Sequence, residues 1–507
     1  MTTAMTAARR PRRLTGIGPA FILALVAVCS WVVLAVAATV TPSARVTSYL
    51  VARNQPSGDG EEVGRLAPGE KAETIESVPR WLKVRLSDGT VGYVSKAWVE
   101  EVEEAAPPVT HAPTPAPTAA TPSSNTPAPL LAAGHPVDWW FVFKLNSQAF
   151  PECDGTARQC PFGGTVQSYT LGFGQQFVFA SSEDPKLQKG GGCVGDATTD
   201  PVGATFDEVY NGTLRYVIWN DQFKGDPAIT VCTSCGAPWG HSKGILAWND
   251  VGDGFVMQVS TPSWPAAGSK RFPRTTDGNT LGCVKDDDVL VSQHFFALRL
   301  TKDDLVAVLT ALKNASVVTD PASHQIVNNG GPADVQALVA SLGTQSKSKA
   351  ITKGTLSTGV VLISKPSALH VPPWQMVSAM LESVPLRTAT WWASPKIPST
   401  TATTQIGCWD ASVGKPGAVE IATTGQWNGT TIGLEGIPKR DGNHAKIGVS
   451  TSPGNHYAIF GDENQQGTLS GDKCGSSQNG RGGLFFVVEN AVLHDGMTNL
   501  IKGETAP

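Results

Sequence analysis

The 507-residue sequence has no excess of positive charge: 39 Lys and Arg face 43 Asp and Glu, a formal net charge of −4. A basic field over the whole molecule is excluded, so contact with any polyanion has to come from a local patch. Charge of either sign is sparse, at 16% of residues against 41% hydrophobic. That balance excludes a self-repelling disordered chain and suits folded protein. Metal-ligand patterns are also scarce. Cys232-Thr233-Ser234-Cys235 is half of what a four-cysteine zinc site needs, and no second Cys-x-x-Cys follows. The run Asp286-Asp287-Asp288 reads as a solvated loop, because adjacent side chains do not converge on one point. No metal and no cofactor is expected.

The N-terminus is informative. Arg9, Arg10, Arg12 and Arg13 precede an uncharged stretch, Leu14 to Ala44, whose apolar heart is Phe21 to Val40. About 20 apolar residues behind a positive flank suffice to span a bilayer with the Arg end cytoplasmic. Ala35-Val36-Ala37 also offers a small-residue cleavage site. Residues 1–43 therefore read either as a retained membrane anchor or as a cleaved signal peptide. Both place the rest of the chain outside the cytoplasm. The eight cysteines beyond Cys29 agree, since an even count in an oxidising compartment suggests disulfides.

Three further segments follow. Residues 44–103 carry short strand-like runs, with Trp81 to Leu86 and Val91-Gly92-Tyr93-Val94 joined by the turn signal Ser87-Asp88-Gly89-Thr90. With Leu50-Val51-Ala52-Arg53 and Gly64-Arg65-Leu66, this segment resembles a bacterial SH3 (SH3b) domain. The resemblance implies a small all-β barrel and a cell-wall peptide as ligand; the alternative is a spacer without a ligand. Residues 104–133, rich in Pro, Thr and Ala, form an extended linker. Residues 134–507 mix strand-like runs with helix-like patterns at Lys302–Lys313, Ala333–Leu342 and Trp374–Leu381, as in an α/β sandwich.

Two tripeptides in this last segment carry chemistry: His241-Ser242-Lys243 and His444-Ala445-Lys446, each followed by an apolar run. On a strand, residues i and i+2 share a face, so each pair would set an imidazole beside an ammonium. Imidazole serves as nucleophile or acid, and ammonium neutralises phosphoryl oxygens. With nine histidines, chance alone supplies about 0.4 such tripeptides, so the flanks have to carry the assignment. Those flanks are the run from Gly134 to Leu145, Tyr216-Val217-Ile218-Trp219-Asn220-Asp221-Gln222, Gly254 to Pro265, and Leu281-Gly282-Cys283-Val284. In the second half they are Gly461-Asp462-Glu463-Asn464-Gln465 and Arg481-Gly482-Gly483.

In this order, across residues 134–490, they resemble the DNase II family. The resemblance implies a phospholipase D-like fold, a pseudodimer of two α/β sandwich halves, about 134–315 and 345–507, forming one active site. It implies DNA as substrate and metal-free cleavage to 3′-phosphate and 5′-hydroxyl ends. His241 would be the nucleophile that becomes phosphohistidine, and His444 the acid and then the base. Lys243, Lys446 and Asn464 would hold phosphoryl oxygens, with Asp462, Asn220, Asp221 and Ser260 completing the substrate contacts. The chain departs from the family at Asn443, where Asp is common, at Gln258 for His and at Gln465 for Arg. Neither motif carries an Asp at the spacing typical of phospholipase D enzymes. Two rivals remain: an inactive wall-binding surface protein and a lipid phosphodiesterase of the same fold. Trp139, Trp140, Trp219 and Trp248 read as core rather than as base-stacking rings. His294, His324 and His456 have no partner pattern.

Overall fold

The computed structural model describes residues 39–102 except 44, 47, 58, 59 and 79. It also describes residues 126–507 except 154–160, 164–174, 196, 224, 225, 227, 228, 230, 233, 275–278, 280 and 282–289. The N-terminal apolar segment up to residue 38, the linker from 104 to 125, Cys160, Cys283 and the acidic run 286–288 lie outside the described residues. Among those described, no helix is long and apolar enough to cross a membrane. Contacts divide the chain into two compact units, one ending at Thr118 and one beginning at Ala119.

The small unit holds β1 (Thr39–Pro42), β2 (Leu50–Arg53), β3 (Glu62–Leu66), β4 (Ala72–Val78), β5 (Trp81–Arg85), β6 (Val91–Ser95) and β7 (Val99–Val102). They form one antiparallel sheet in the order β3-β2-β6-β5-β4-β1-β7. Alternation works as expected in β5, where Leu82 and Val84 turn inward and Arg85 outward. Gly89, at φ +87°, makes the β5–β6 turn, and Asp88 accepts a 2.8 Å bond from the Thr90 amide. The unit starts earlier than the sequence suggested. Val40, expected to end the apolar export segment, is fully buried on β1.

The large unit contains two main sheets. The first comprises β8 (Trp139–Lys144), β9 (Phe177–Ser181), β10 (Gln188–Lys189), β11 (Arg215–Asn220), β12 (Lys243–Trp248), β13 (Gly254–Val259), β14 (Gln293–Leu300) and β15 (Val327–Asn328). The second comprises β16 (Thr352–Thr355), β17 (Val361–Lys365), β18 (Leu386–Ala389), β19 (Val419–Ile421), β22 (Ile447–Ser450), β23 (Tyr457–Gly461) and β24 (Gly483–Glu489), with β20 (Thr424–Trp427) and β21 (Thr430–Gly433) as a separate hairpin. The helices are α1 (Pro201–Tyr210), α2 (Lys302–Asn314), α3 (Ala333–Ala340), α4 (Pro373–Met380) and α5 (Ala491–Leu500). Side chains fix their starts: Asp200 caps α1, Thr301 and Asp304 form a capping box on α2, and Asn490 caps α5.

One arrangement occurs twice. The first sheet contains the antiparallel order β8-β14-β13-β12-β11, and the second β17-β24-β23-β22-β18. A helix precedes the last strand of each set (α1, α4) and another follows β14 and β24 (α2, α5). The sheets share one core. Phe460 of β23 stacks on Phe296 of β14 at 4.3 Å and meets Phe141 of β8 at 4.7 Å. Each such ring contributes about 1.5–3 kcal/mol by leaving water, which holds the two sheets face to face. Strands β8, β12 and β13 are buried along their whole length, as expected where both faces are covered. Trp139, Trp140, Trp219 and Trp248 all sit in this core.

Candidate active site

Both His-x-Lys tripeptides lie where a central strand begins, not along it. Lys243 is the first residue of β12, and Lys446 immediately precedes β22. Each histidine is held by backbone of the opposite half. The His241 amide donates to Gly482 O (2.8 Å) and the His444 amide to Ser292 O (2.7 Å), just ahead of β24 and β14. His241 Nδ1 bonds Asp462 O at 2.7 Å, and His444 Nδ1 bonds Ser260 O at 2.7 Å. These carbonyls follow β23 and β13. The four contacts are reciprocal, so neither histidine is positioned without the other half.

A carbonyl oxygen only accepts, so each Nδ1 carries the proton and each neutral imidazole leaves its Nε2 lone pair available. Burial, then Lys243, Arg481 and Lys446, hold His241 well below the usual histidine value. Burial, then Lys446, Lys243 and His241, do the same for His444. Each imidazole feels the other motif's lysine, so the two tripeptides share one electrostatic site.

The two half-sites are not electrically alike. Lys243 Nζ bonds Asp221 Oδ1 at 2.6 Å, and Arg481 Nη2 bonds Asp221 Oδ2 at 2.8 Å. Arg481 also donates to Gly240 O (2.7 Å) and Trp239 O (3.0 Å), spanning the halves beside His241. Burial raises the Asp221 carboxyl, but Lys243 and Arg481 outweigh it and hold it below its ordinary range. Strand register identifies the counterparts. Gly244 faces Trp219 and Ile447 faces Ala389, so Asp221 corresponds to Trp391. The carbonyls of Ser292 and Gly482 correspond through their bonds to the histidines, so Arg481 corresponds to Val291. Trp391 stands edge to face with His444, ring centroids 5.1 Å apart at 84°. Lys446 Nζ donates to His444 O.

The other sequence candidates divide. Asn464 is buried, with its side-chain oxygen unpartnered among the described residues. Asp462 reaches the site through its carbonyl. Its carboxylate accepts from the Leu484 amide at 2.8 Å, and burial pushes it up to about 7. Ser260 likewise acts through its carbonyl, because its hydroxyl bonds Gln293 and the His294 amide. Asn220 is not brought to the histidines; it braces the Thr261 and Trp264 carbonyls and the Gln222 amide. Asp221 serves Lys243 rather than a ligand. His294, which showed no partner pattern in the sequence, accepts from the Lys446 amide at 3.1 Å.

Sequence reading missed the roles of Arg481, Trp391, Lys144 and Lys365. Lys144 ends β8 and donates to Val291 O at 2.7 Å; Lys365 ends β17 and donates to Asn479 O at 3.0 Å and to Arg481 O. Both brace the segments leading into β14 and β24. A lone lysine closing an apolar strand was the available signal. Among the described residues three disulfides are formed, Cys153–Cys193, Cys232–Cys235 and Cys408–Cys474, so the Cys-x-x-Cys pair bonds within itself. Among the described residues no group of three or more His, Cys, Asp or Glu is placed to hold a metal.

Residues 129–505 match the family model for deoxyribonuclease II, and residues 48–100 match that for a bacterial SH3 domain. The chain is 28% identical over 159 residues to deoxyribonuclease-2-alpha of Sus scrofa, covering 30% of this chain and 38% of the relative. It is 25% identical over 150 residues to deoxyribonuclease-2-beta of Rattus norvegicus, covering 29% and 35%. The aligned stretches thus span little more than a third of these relatives. With most of its length matched by the family model and both tripeptides in one site, the chain belongs to the deoxyribonuclease II family and carries a bacterial SH3 domain ahead of that region.

Proposed function

We propose that the chain is an exported endonuclease that hydrolyses DNA phosphodiesters without a metal, through a phosphohistidine. The observation that carries this reading is the reciprocal hold on the two imidazoles, each Nδ1–H spent on a carbonyl of the other half. In the first step His241 Nε2 attacks phosphorus and the P–O5′ bond breaks. Protonated His444 gives its Nε2 proton to the departing O5′. In the second step His444, now neutral, takes a proton from water as the hydroxyl attacks phosphorus. The P–N bond breaks, leaving a 3′-phosphate, with the 5′-hydroxyl strand already released. Lys243, Lys446 and Asn464 stabilise the phosphoryl oxygens, and the proton transfers by His444 are worth roughly 10²–10⁴-fold.

The repeated strand order supports a phospholipase D-like pseudodimer, with the halves near 134–315 and 345–507. The departures from the family pattern do not favour an inactive relative. Asn443 turns its side chain onto Ala445, and Gln258 donates to Leu484 O, so both pack beside the histidines rather than replacing them. The disulfides support an oxidising, extracytoplasmic location. Cleavage after Ala37 would leave β1 intact, so a signal peptide within residues 1–43 is compatible with the small unit. For the SH3b domain we propose a cell-wall peptide, in the groove between Tyr49, Trp81, Trp98, Arg45 and Arg53. The segment 104–133 then serves as a tether.

The test is the purified chain incubated with plasmid DNA in EDTA, followed by end-group analysis. Nicking with 3′-phosphate ends is expected. Activity only after divalent metal is restored, or turnover of phospholipid vesicles but not DNA, would overturn the reading.

A further inference from the structure

Trp391 occupies the position where the first half places the counter-ion Asp221. An indole cannot neutralise Lys446, so the exchange has a different consequence. The ring is half-buried, stands against His444, and its N–H has no hydrogen-bond partner among the described residues. Its neighbour Trp392 is differently placed: buried, with its N–H on Ile397 O at 2.7 Å and the Lys396 ammonium 3.7 Å above its ring. Gly436 backs this pair, and a Cβ there would come within 2.6 Å of the Trp392 amide. The Trp391 backbone is therefore fixed while its ring stays partly open beside the proton donor.

We infer that Trp391 is a nucleobase-stacking residue that seats the nucleotide on the 3′ side of the scissile bond. This rests on the reading above, in which His444 protonates the O5′ of that nucleotide. Trp139, Trp140, Trp219 and Trp248 are all core, whereas the Trp391 ring is partly open and stands beside His444, where it can receive a base. Stacking on an aromatic face tolerates every base, as a non-specific nuclease requires.

The experiment uses the full chain and tetranucleotides in which only the central linkage is a cleavable phosphodiester, the others being methylphosphonates. One substrate is intact, one carries an abasic residue 3′ of that linkage, and one carries it 5′. The wild type should lose about 10-fold in kcat/KM with the 3′ abasic substrate and little with the 5′ one. Trp391→Ala should slow the intact substrate to the 3′ abasic level and abolish the difference. Trp391→Phe should retain most of it, which separates stacking from misfolding. Equal slowing of all three substrates by Trp391→Ala would reduce the ring to packing for His444 and overturn the inference alone. Discrimination confined to the 5′ side would overturn the placement. A wild type that cuts none of them while plasmid DNA is also untouched overturns the nuclease reading, and this inference with it.

Discussion

At the residue scale, two carbonyl oxygens set the state of the imidazoles. With Nδ1–H committed to Asp462 O and Ser260 O, only Nε2 is left for phosphorus or for a proton. Both histidines are held well below the ordinary 6.5, so each is neutral until the pH falls below that value. The proposed reaction needs one neutral and one protonated imidazole. Its rate should therefore peak on the acid side of 6.5 and fall as His444 loses its proton. A pH profile of kcat/KM checks this, and a steady rise to about pH 9 would contradict it. Asp221 makes a second prediction possible. It lies fully buried between Lys243 and Arg481, and Asp221→Ala leaves two buried cations uncompensated. The large unit should lose about 3–5 kcal/mol in urea unfolding, whereas a carboxylate that only met substrate would cost almost nothing.

At the scale of elements, the histidines depend on how the lead-ins to β14 and β24 are seated. Gly482 is close against α2's C-terminal end: a Cβ there would lie 2.3 Å from Ala315 O. Gly482→Ala should push the carbonyl off the His241 amide and lower kcat on the order of 10²-fold while far-UV circular dichroism stays unchanged. An unaltered kcat would show that this carbonyl does not position His241. The same elements show what the sequence disclosed. α2 was legible because Thr301 and Asp304 mark its start and its apolar positions recur with helical period. α1 was not, because eight of its ten residues are buried and the polar face that would reveal a period is missing. α5 keeps a clean stripe of Leu493, Met497 and Leu500, but Gly496 and two polar pairs obscure it. The four His and Lys residues were visible as tripeptides. Arg481 was visible only as part of a glycine-rich motif, since its partner Asp221 lies 260 residues away and no local spacing encodes that pair. Trp391 acquires meaning only through the register that sets it opposite Asp221 in the repeat.

At the scale of the whole molecule, a chain of net charge −4 still sets a small group of cations inside one site. Lys243, Lys446 and Arg481 are buried around the two histidines, so the proposed attraction for phosphate is local and does not require a basic surface. The proposed reaction joins the two halves in one site, in which His241 attacks and His444 protonates. Its most direct test is mass spectrometry, at neutral or alkaline pH, of the His444→Asn variant mixed with a p-nitrophenyl phosphodiester. That leaving group needs little protonation, so the first step should proceed and the second should stall without its base. The expected result is release of p-nitrophenol and a phosphoryl adduct on His241, absent from His241→Ala. An adduct on His444 in the His241→Ala variant would reverse the roles, and no adduct in either variant, with a wild type active only in added divalent metal, would rule out the phosphohistidine route.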